Sequence, residues 1–344
     1  MTKKTFKSLA FTLIGGLALV VSACSNDTAT NNAATKEPAS EQAAGGTAVN
    51  EAPAAEETAA PAEDRVMKDS MGHEVTVPAQ PKAVIASYLE DSLVALGVKP
   101  VAQWMVGTDT VQAYLQESLS GIPGIPSDLP LEVVASYSPD LILMDSAELV
   151  AGDKYRQYSA IAPTYVVGNA QNNDWRQELL TVGEVLGKKA EAQKVLDDYE
   201  AKAADAKAKL EEAAGGEKKA AALWVLDKDV YVVNQNLSSG DVIYNDLGMA
   251  VPDVVKQASE ASEANWSSLS LELLAGMDAD YIFLVNGSGK DKEQVLADPV
   301  WKNIPAVKEG RVYEFGSDSS WLYTGAVANG QMIDDVLSSV AGAK

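Results

Sequence analysis

The chain contains the same pattern twice. Leu131-Glu132-Val133-Val134-Ala135, followed by Pro139-Asp140-Leu141-Ile142-Leu143, returns as Leu271-Glu272-Leu273-Leu274-Ala275, followed by Ala279-Asp280-Tyr281-Ile282-Phe283, at a constant offset of 140 residues. A second echo lies upstream of each copy: Ala95-Leu96-Gly97-Val98 with Pro100, and Asp246-Leu247-Gly248-Met249 with Pro252. A fixed repeat means that one supersecondary unit has been built twice. In each copy a helix ends at Leu-Gly, and a further helix runs through an Asp into an apolar strand. Short strands such as Ala83-Val84-Ile85 and Tyr281-Ile282-Phe283-Leu284-Val285, alternating with helical segments, predict parallel sheets of βα units. The fold class is therefore α/β, with two similar Rossmann-like lobes.

Between the copies lies a long helical pattern. Ala192, Val195, Leu196, Tyr199, Ala203, Ala206 and Leu210 recur at steps of three and four, with Gly187 before them and Gly215-Gly216 after. A helix over residues 189–213 would be about 36 Å long, enough to join two lobes. The apolar stripe is thin, Ala-rich and not strictly heptad, which argues against a coiled-coil partner helix.

The N-terminus reads as an address. Lys3, Lys4 and Lys7 precede an apolar run from Leu9 to Val20, and Val21-Ser22-Ala23-Cys24 follows. The run is too short to span a bilayer stably. Small residues before the only Cys of the chain resemble the lipobox of bacterial lipoproteins, in which the Cys is lipidated and becomes the mature N-terminus. The reading is a signal peptide over 1–23, a lipid anchor on Cys24 and a tether to residue 63. The tether is rich in Ala, Thr, Glu, Asn and Pro and has too little apolar surface to offset the entropy of ordering. As a flexible coil it would reach about 35 Å. Residues 64–188 then form the N-terminal lobe, 189–214 the bridging helix and 215–344 the C-terminal lobe.

Charge removes whole classes of function. With 27 Lys+Arg against 49 Asp+Glu, a net charge of -22 and no basic cluster beyond the extreme N-terminus, a nucleic-acid partner is excluded. One His and one Cys cannot furnish a zinc site. No Gly-rich phosphate loop, nucleophile with a base, or paired carboxylates are evident, so no catalytic residues are assigned and the chain reads as a binding protein. A lipid-anchored surface adhesin is the competing class, but duplicated lobes predict a cleft.

Together the lipobox, the tether, the hairpin-like Asp69-Ser70-Met71-Gly72-His73-Glu74-Val75-Thr76-Val77, the repeated blocks, the bridging helix and the closing Trp301-Lys302-Asn303-Ile304-Pro305-Ala306-Val307-Lys308-Glu309-Gly310-Arg311-Val312-Tyr313 resemble one family. It is the substrate-binding lipoproteins of ABC importers for iron siderophores, haem and cobalamin. The resemblance runs from Cys24 to the C-terminus. It implies two lobes on one backbone helix, a ligand held between them, and delivery to permease subunits driven by their ATPase. It implies no resident cofactor: iron arrives only inside a bound chelate. It also places Glu132 and Glu272 where one Glu per lobe docks on the permease. The bland alternative is a first-turn Glu complementing its helix dipole. The protein would act as a monomer on the extracytoplasmic face of a cell membrane, a Gram-positive surface being favoured.

Ligands of open α/β sheets sit beyond the carboxyl ends of strands. That rule selects Tyr88, Trp104, Met105, Asp145 and Ser146 in the first lobe. In the second it selects Asn234, Asn236, Ser238, Asn286, Trp321 and Tyr323. Trp175, Trp224 and Trp301 are assigned to packing, Trp266 is left open, and His73 is read as an exposed turn residue. The only arginines are Arg65, Arg156, Arg176 and Arg311, none directly after a predicted cleft strand. Trianionic ferric catecholates and carboxylate-rich chelates need several basic partners. Ferric hydroxamates, close to neutral, suit aromatics and neutral hydrogen-bonders better. The hydroxamate-binding subgroup tends to carry a Trp and an Arg where this chain has Asn236 and Ser238. Haem or cobalamin remains an alternative cargo.

Overall fold

The computed structural model describes residues 63–170 and 172–342, so Cys24, the signal segment and the tether lie outside it. The first lobe opens with a hairpin, β1 (Arg65–Lys68) and β2 (Glu74–Val77). It continues through β3 (Val84–Ser87), α1 (Glu90–Ala95), β4 (Ala102–Val106), β5 (Thr110–Val111), α2 (Gln116–Leu119), β6 (Gly124–Ile125) and α3 (Leu131–Ser136). It ends with β7 (Leu141–Ser146), α4 (Lys154–Ser159), β8 (Thr164–Gly168) and α5 (Trp175–Val185). Its sheet runs β5-β4-β3-β7-β8, with β6 also paired to β4. The central strands β4-β3-β7-β8 are parallel.

Helix α6 (Lys189–Ala214) joins the lobes. Ala192, Leu196, Tyr199, Ala203, Ala206 and Leu210 are its buried positions, the stripe expected from the periodicity. Gly215 closes it in the left-handed conformation, φ 67°. At 26 residues it spans about 39 Å.

The second lobe contains β9 (Ala220–Leu226), β10 (Asp229–Val233), a π-helical turn (Asp241–Asp246), α7 (Asp253–Ala261), β11 (Trp266–Leu269) and α8 (Leu271–Ala275). After these come β12 (Tyr281–Asn286), α9 (Lys292–Leu296), α10 (Pro305–Lys308), β13 (Val312–Gly316) and α11 (Ala326–Ala341). Its sheet order is β11-β10-β9-β12-β13. Here the expectation of wholly parallel sheets fails. Strand β10 pairs antiparallel with both β9 and β11, and between β9 and β10 only Asp227 and Lys228 separate the paired residues Leu226 and Asp229. A connection that short permits a hairpin and no crossover.

The repeat has a common chemistry. In the first lobe Asp140 accepts the backbone N–H of Lys82 at 2.7 Å and of Ala83 at 2.9 Å, pinning the start of β3 beside β7. In the second, Asp280 accepts the N–H of Lys219 at 2.9 Å, pinning the start of β9 beside β12. The backbone amides of the two aspartates answer in kind, donating to Ala83 at 2.9 Å and to Lys219 at 2.8 Å. The repeated Asp is a splint between neighbouring strands, and the Leu-Glu that precedes it opens α3 in one lobe and α8 in the other.

Candidate ligand-binding cleft

A cleft of about 270 Å³ opens between the lobes. From the first lobe it is lined by Tyr88, Leu89, Asp91 and Ser92 at the turn from β3 into α1, by Asp145 of β7, and by Asn172 to Arg176 with Glu178 between β8 and α5. The second lobe contributes Asn236, Leu237, Ser238 and Asp241 between β10 and the π-helical turn, then Asn265, Thr324 and Gly325.

Two of these residues hold unusual backbone. Tyr88 has φ 59° and Ser238 has φ 51°, a region that side chains other than glycine enter at a cost. Each sits where a strand has ended and the chain turns along the cleft. Trp104 supports Tyr88 from behind, edge to face at 5.0 Å. The Ser238 hydroxyl donates to the Tyr323 carbonyl at 3.1 Å, tying its loop to the segment that leads into α11.

Beneath Tyr88 lie two buried carboxyls. Glu90 accepts the Trp104 N–H at 2.6 Å and the Gln112 amide at 3.2 Å, and burial pushes its carboxyl up to about 7. Asp91 accepts the N–H groups of Val327 and Ala328 and the Tyr114 hydroxyl; burial raises it to about 6 against those hydrogen bonds. Asp145 and Glu178 form a second acidic pair. Burial raises both carboxyls, and proximity to Glu178 raises Asp145 further. The Asn173 amide nitrogen stitches them together, 3.0 Å from Glu178 Oε1 and 3.3 Å from the Asp145 carbonyl.

Arg176 lines the cleft and is paired with two carboxylates. Its guanidinium donates to Asp241 at 3.1 Å and Asp246 at 2.6 Å across the lobes, and lies over the Trp175 ring at 4.6 Å. Tyr199 of α6 donates its hydroxyl to Asp246 at 2.5 Å.

The residues selected from sequence divide as follows. Tyr88, Asp145, Asn236 and Ser238 line the cleft together. Tyr323 adjoins it through its carbonyl while its ring packs on Tyr114 at 4.9 Å. Asn234 supports the loop, accepting the Asn236 N–H at 3.0 Å and donating to Ser262 at 3.0 Å. Five others are displaced. Trp104 and Met105 lie within β4, which runs on to Val106, so Trp104 backs Tyr88 and Met105 sits against Gly124. Ser146 is wholly buried at the end of β7. Trp321 is 0 % exposed, stacked on Phe283 at 5.0 Å and Phe315 at 4.7 Å, its indole N–H on Asp335 at 2.9 Å: it is core.

Asn286 ends β12, where its amide donates to Lys290 and Glu314 and closes a turn. Strands β10 and β12 run in opposite directions through the sheet, so their carboxyl ends open on opposite edges, and the cleft takes the edge of β10. Glu132 and Glu272 are both exposed at the second position of their short helices. His73 does occupy a turn, yet its ring stacks on Tyr155 at 3.7 Å and its Nδ1 lies 3.0 Å from Asp69. Trp301 packs in the core as expected, Trp175 is mostly buried at the cleft wall, and Trp224 and Trp266 pack edge to face at 6.2 Å.

The missed residues are chiefly Asn173, Arg176 and Glu178. Thr164-Tyr165-Val166-Val167 is as β-branched as the strands that were recognised, and the strand-end rule applied to it leads directly to Asn172 and Asn173.

The cleft and its two-lobed frame have known counterparts. The periplasmic binding protein family matches residues 85–319. The iron(3+)-hydroxamate-binding protein YxeB of Bacillus subtilis is 27% identical over 270 residues, covering 76% of this chain and 80% of that protein. A crystal structure of a periplasmic binding protein component of a ferrichrome ABC transporter from Bacillus subtilis superposes with a TM-score of 0.67 at 26% identity, covering 80% of this chain and 99% of that one. Staphylococcus aureus SirA complexed with staphyloferrin B superposes with a TM-score of 0.65 at 25% identity, covering 80% and 98%. The chain belongs to the periplasmic binding protein family: it is a solute-binding component of an ABC transporter and not an enzyme.

Proposed function

We propose that this protein captures a ferric siderophore of the hydroxamate type between its lobes and presents it to an ABC permease. The observation that carries the reading is the charge of the cleft. Asp91, Asp145, Asp174, Glu178 and Asp241 line it against a single cation, Arg176, whose guanidinium is already held by Asp241 and Asp246. A trianionic ferric catecholate or a carboxylate-rich chelate entering such a cleft would find no unpaired positive charge and would meet repulsion instead. A ferric trihydroxamate is neutral around the metal and asks only for shape, an aromatic wall and hydrogen bonds. Tyr88, Asn236 and Ser238 supply these.

Around that core we place the remaining parts. Cys24 carries the lipid, and residues 24–63 form a tether that holds the body at the extracytoplasmic face of the membrane as a monomer. Glu132 and Glu272, exposed and equivalent by the repeat, dock one on each permease subunit. Iron is cargo, present only within the chelate.

The test is quenching of intrinsic Trp fluorescence, since Trp175 lines the cleft and Trp104 backs it. Titration with a ferric trihydroxamate, a ferric tricatecholate, ferric citrate, haem and cobalamin is expected to give saturable quenching by the trihydroxamate at sub-micromolar concentration. Saturation by the tricatecholate or citrate alone overturns the hydroxamate assignment; silence across the panel overturns siderophore capture.

A further inference from the structure

Taking the carboxylates of the cleft one by one, most are occupied. Asp91 caps α11 through Val327 and Ala328. Asp174 caps α5, accepting the Arg176 N–H at 2.9 Å. Asp241 holds Arg176 at 3.1 Å and the Asn245 amide at 2.7 Å. Asp145 and Glu178 are different. Asp145 is only 5% exposed, yet it lines the cleft, and among the described residues neither it nor Glu178 is in an ion pair. The neutral amide of Asn173 lies beside both, 3.0 Å from Glu178 Oε1 and 3.3 Å from the backbone carbonyl of Asp145.

Two adjacent carboxyls withdrawn from water and facing a cavity whose one cation, Arg176, is paired elsewhere are costly for a folded protein to maintain. Burial raises both carboxyls, and the neighbouring Glu178 raises Asp145 further. A group that brings its own positive charge and several N–H donors would satisfy both at once. A primary ammonium is such a group, compact and with three donors. The aromatic wall of Tyr88, which stands in the same cleft, would flank its alkyl stem.

We propose that the Asp145–Glu178 pair is a cation-receiving subsite, and that the cleft selects ferric hydroxamates carrying a primary ammonium group over otherwise identical uncharged ones. This rests on the hydroxamate reading above and adds to it a specificity that the metal centre cannot supply, since the charged group lies on the periphery of the chelate.

The experiment compares two ligands with one coordination sphere. Ferrioxamine B has a free terminal amine; its N-acetylated form keeps the three hydroxamates and loses the charge. Affinities of the full chain for both are measured by Trp quenching at 0.5 M salt, which screens general attraction to an acidic protein but acts far less inside a cleft. The expected result is at least tenfold tighter binding of the amine form by the wild type, with the ratio falling to about one in Asp145→Asn/Glu178→Gln. A pair that serves only to hold the β8–α5 loop would leave the ratio unmoved.

Equal affinities in the wild type overturn the subsite while leaving hydroxamate capture intact. Binding of neither ligand removes the hydroxamate reading and the subsite with it. The wild-type ratio decides the matter even if the double variant fails to fold.

Discussion

Asp91, in the first helix of the N-terminal lobe, accepts the backbone N–H of Ala328 at 2.9 Å across 237 residues of chain. Its other oxygen takes the N–H of Val327 at 3.0 Å. The N-terminus of α11 has no capping side chain of its own, since its N-cap is Gly325. Asp91 therefore does from the other end of the chain what a Ser or Asp at the N-cap does locally. Gly325 makes this possible: its φ of 136° suits glycine, and a Cβ there would run into the Asp91 carboxylate. The first and last helices are thus locked together beside the cleft.

Removing that cap has a defined cost. Asp91→Ala leaves the amides of Val327 and Ala328 without an acceptor and the Tyr114 hydroxyl with Gln112 alone, and is expected to destabilise by about 2–4 kcal/mol. Asp91→Asn keeps one acceptor and should lose about half as much. Urea denaturation measures both.

The pH dependence of stability has a sign fixed by burial. Glu90 is pushed up to about 7 and Asp91 to about 6, both above their unfolded values, so the folded state binds the extra protons. Stability is then fullest at the acid side of this window and declines as pH rises from about 4.5 to about 7, flattening above. Glu90→Gln is expected to flatten the curve. At pH 7.5 it should be more stable relative to wild type than at pH 5, by on the order of 2 kcal/mol. Taking the difference between the two proteins removes the general relief of acidic repulsion. An unchanged slope in the variant would contradict this assignment.

Arg176 joins the lobes electrostatically. Arg176→Ala leaves Asp241 and Asp246 facing each other half-buried, and is expected to cost about 2 kcal/mol in urea denaturation. Arg176→Lys should recover little of this, because one ammonium cannot reproduce the two-carboxylate fork. A double-mutant cycle with Tyr199→Phe should show coupling, since both residues act on Asp246.

Tyr88 trades stability for binding. Tyr88→Gly relieves the positive φ and removes the aromatic wall. Siderophore affinity should fall at least tenfold. Glu132→Arg with Glu272→Arg is expected to abolish uptake by cells without changing that affinity; normal uptake would exclude docking through these residues.

Much of this architecture was legible because the residues that encode it do the same job twice. Asp140 and Asp280 recur at a fixed spacing since each must reach back to the strand beside its own. The stripe from Ala192 to Leu210 was legible since one face of α6 is buried throughout. Tyr88 and Asp145 were found because the first polar or aromatic residues beyond the apolar runs of β3 and β7 lie at the cleft, although β7 itself continues to Ser146. Trp104 was misplaced because β4 runs on to Val106, so its side chain lies in the layer behind the cleft and not beyond the strand's end. Trp321 was misplaced because its polar flanks hide a stack with Phe283 and Phe315 that only the folded sheet assembles. Asn286 failed for want of strand direction, which no local pattern records.

The proposed function requires the cleft to take a ferric hydroxamate and to refuse a highly anionic chelate. Calorimetric titration of the protein with a ferric trihydroxamate and, separately, with a trianionic ferric tricatecholate tests it most directly. One-to-one binding of the trihydroxamate at sub-micromolar affinity, with no heat of binding from the tricatecholate, is the expected result; tight binding of the tricatecholate in a cleft whose only arginine is already paired would contradict it.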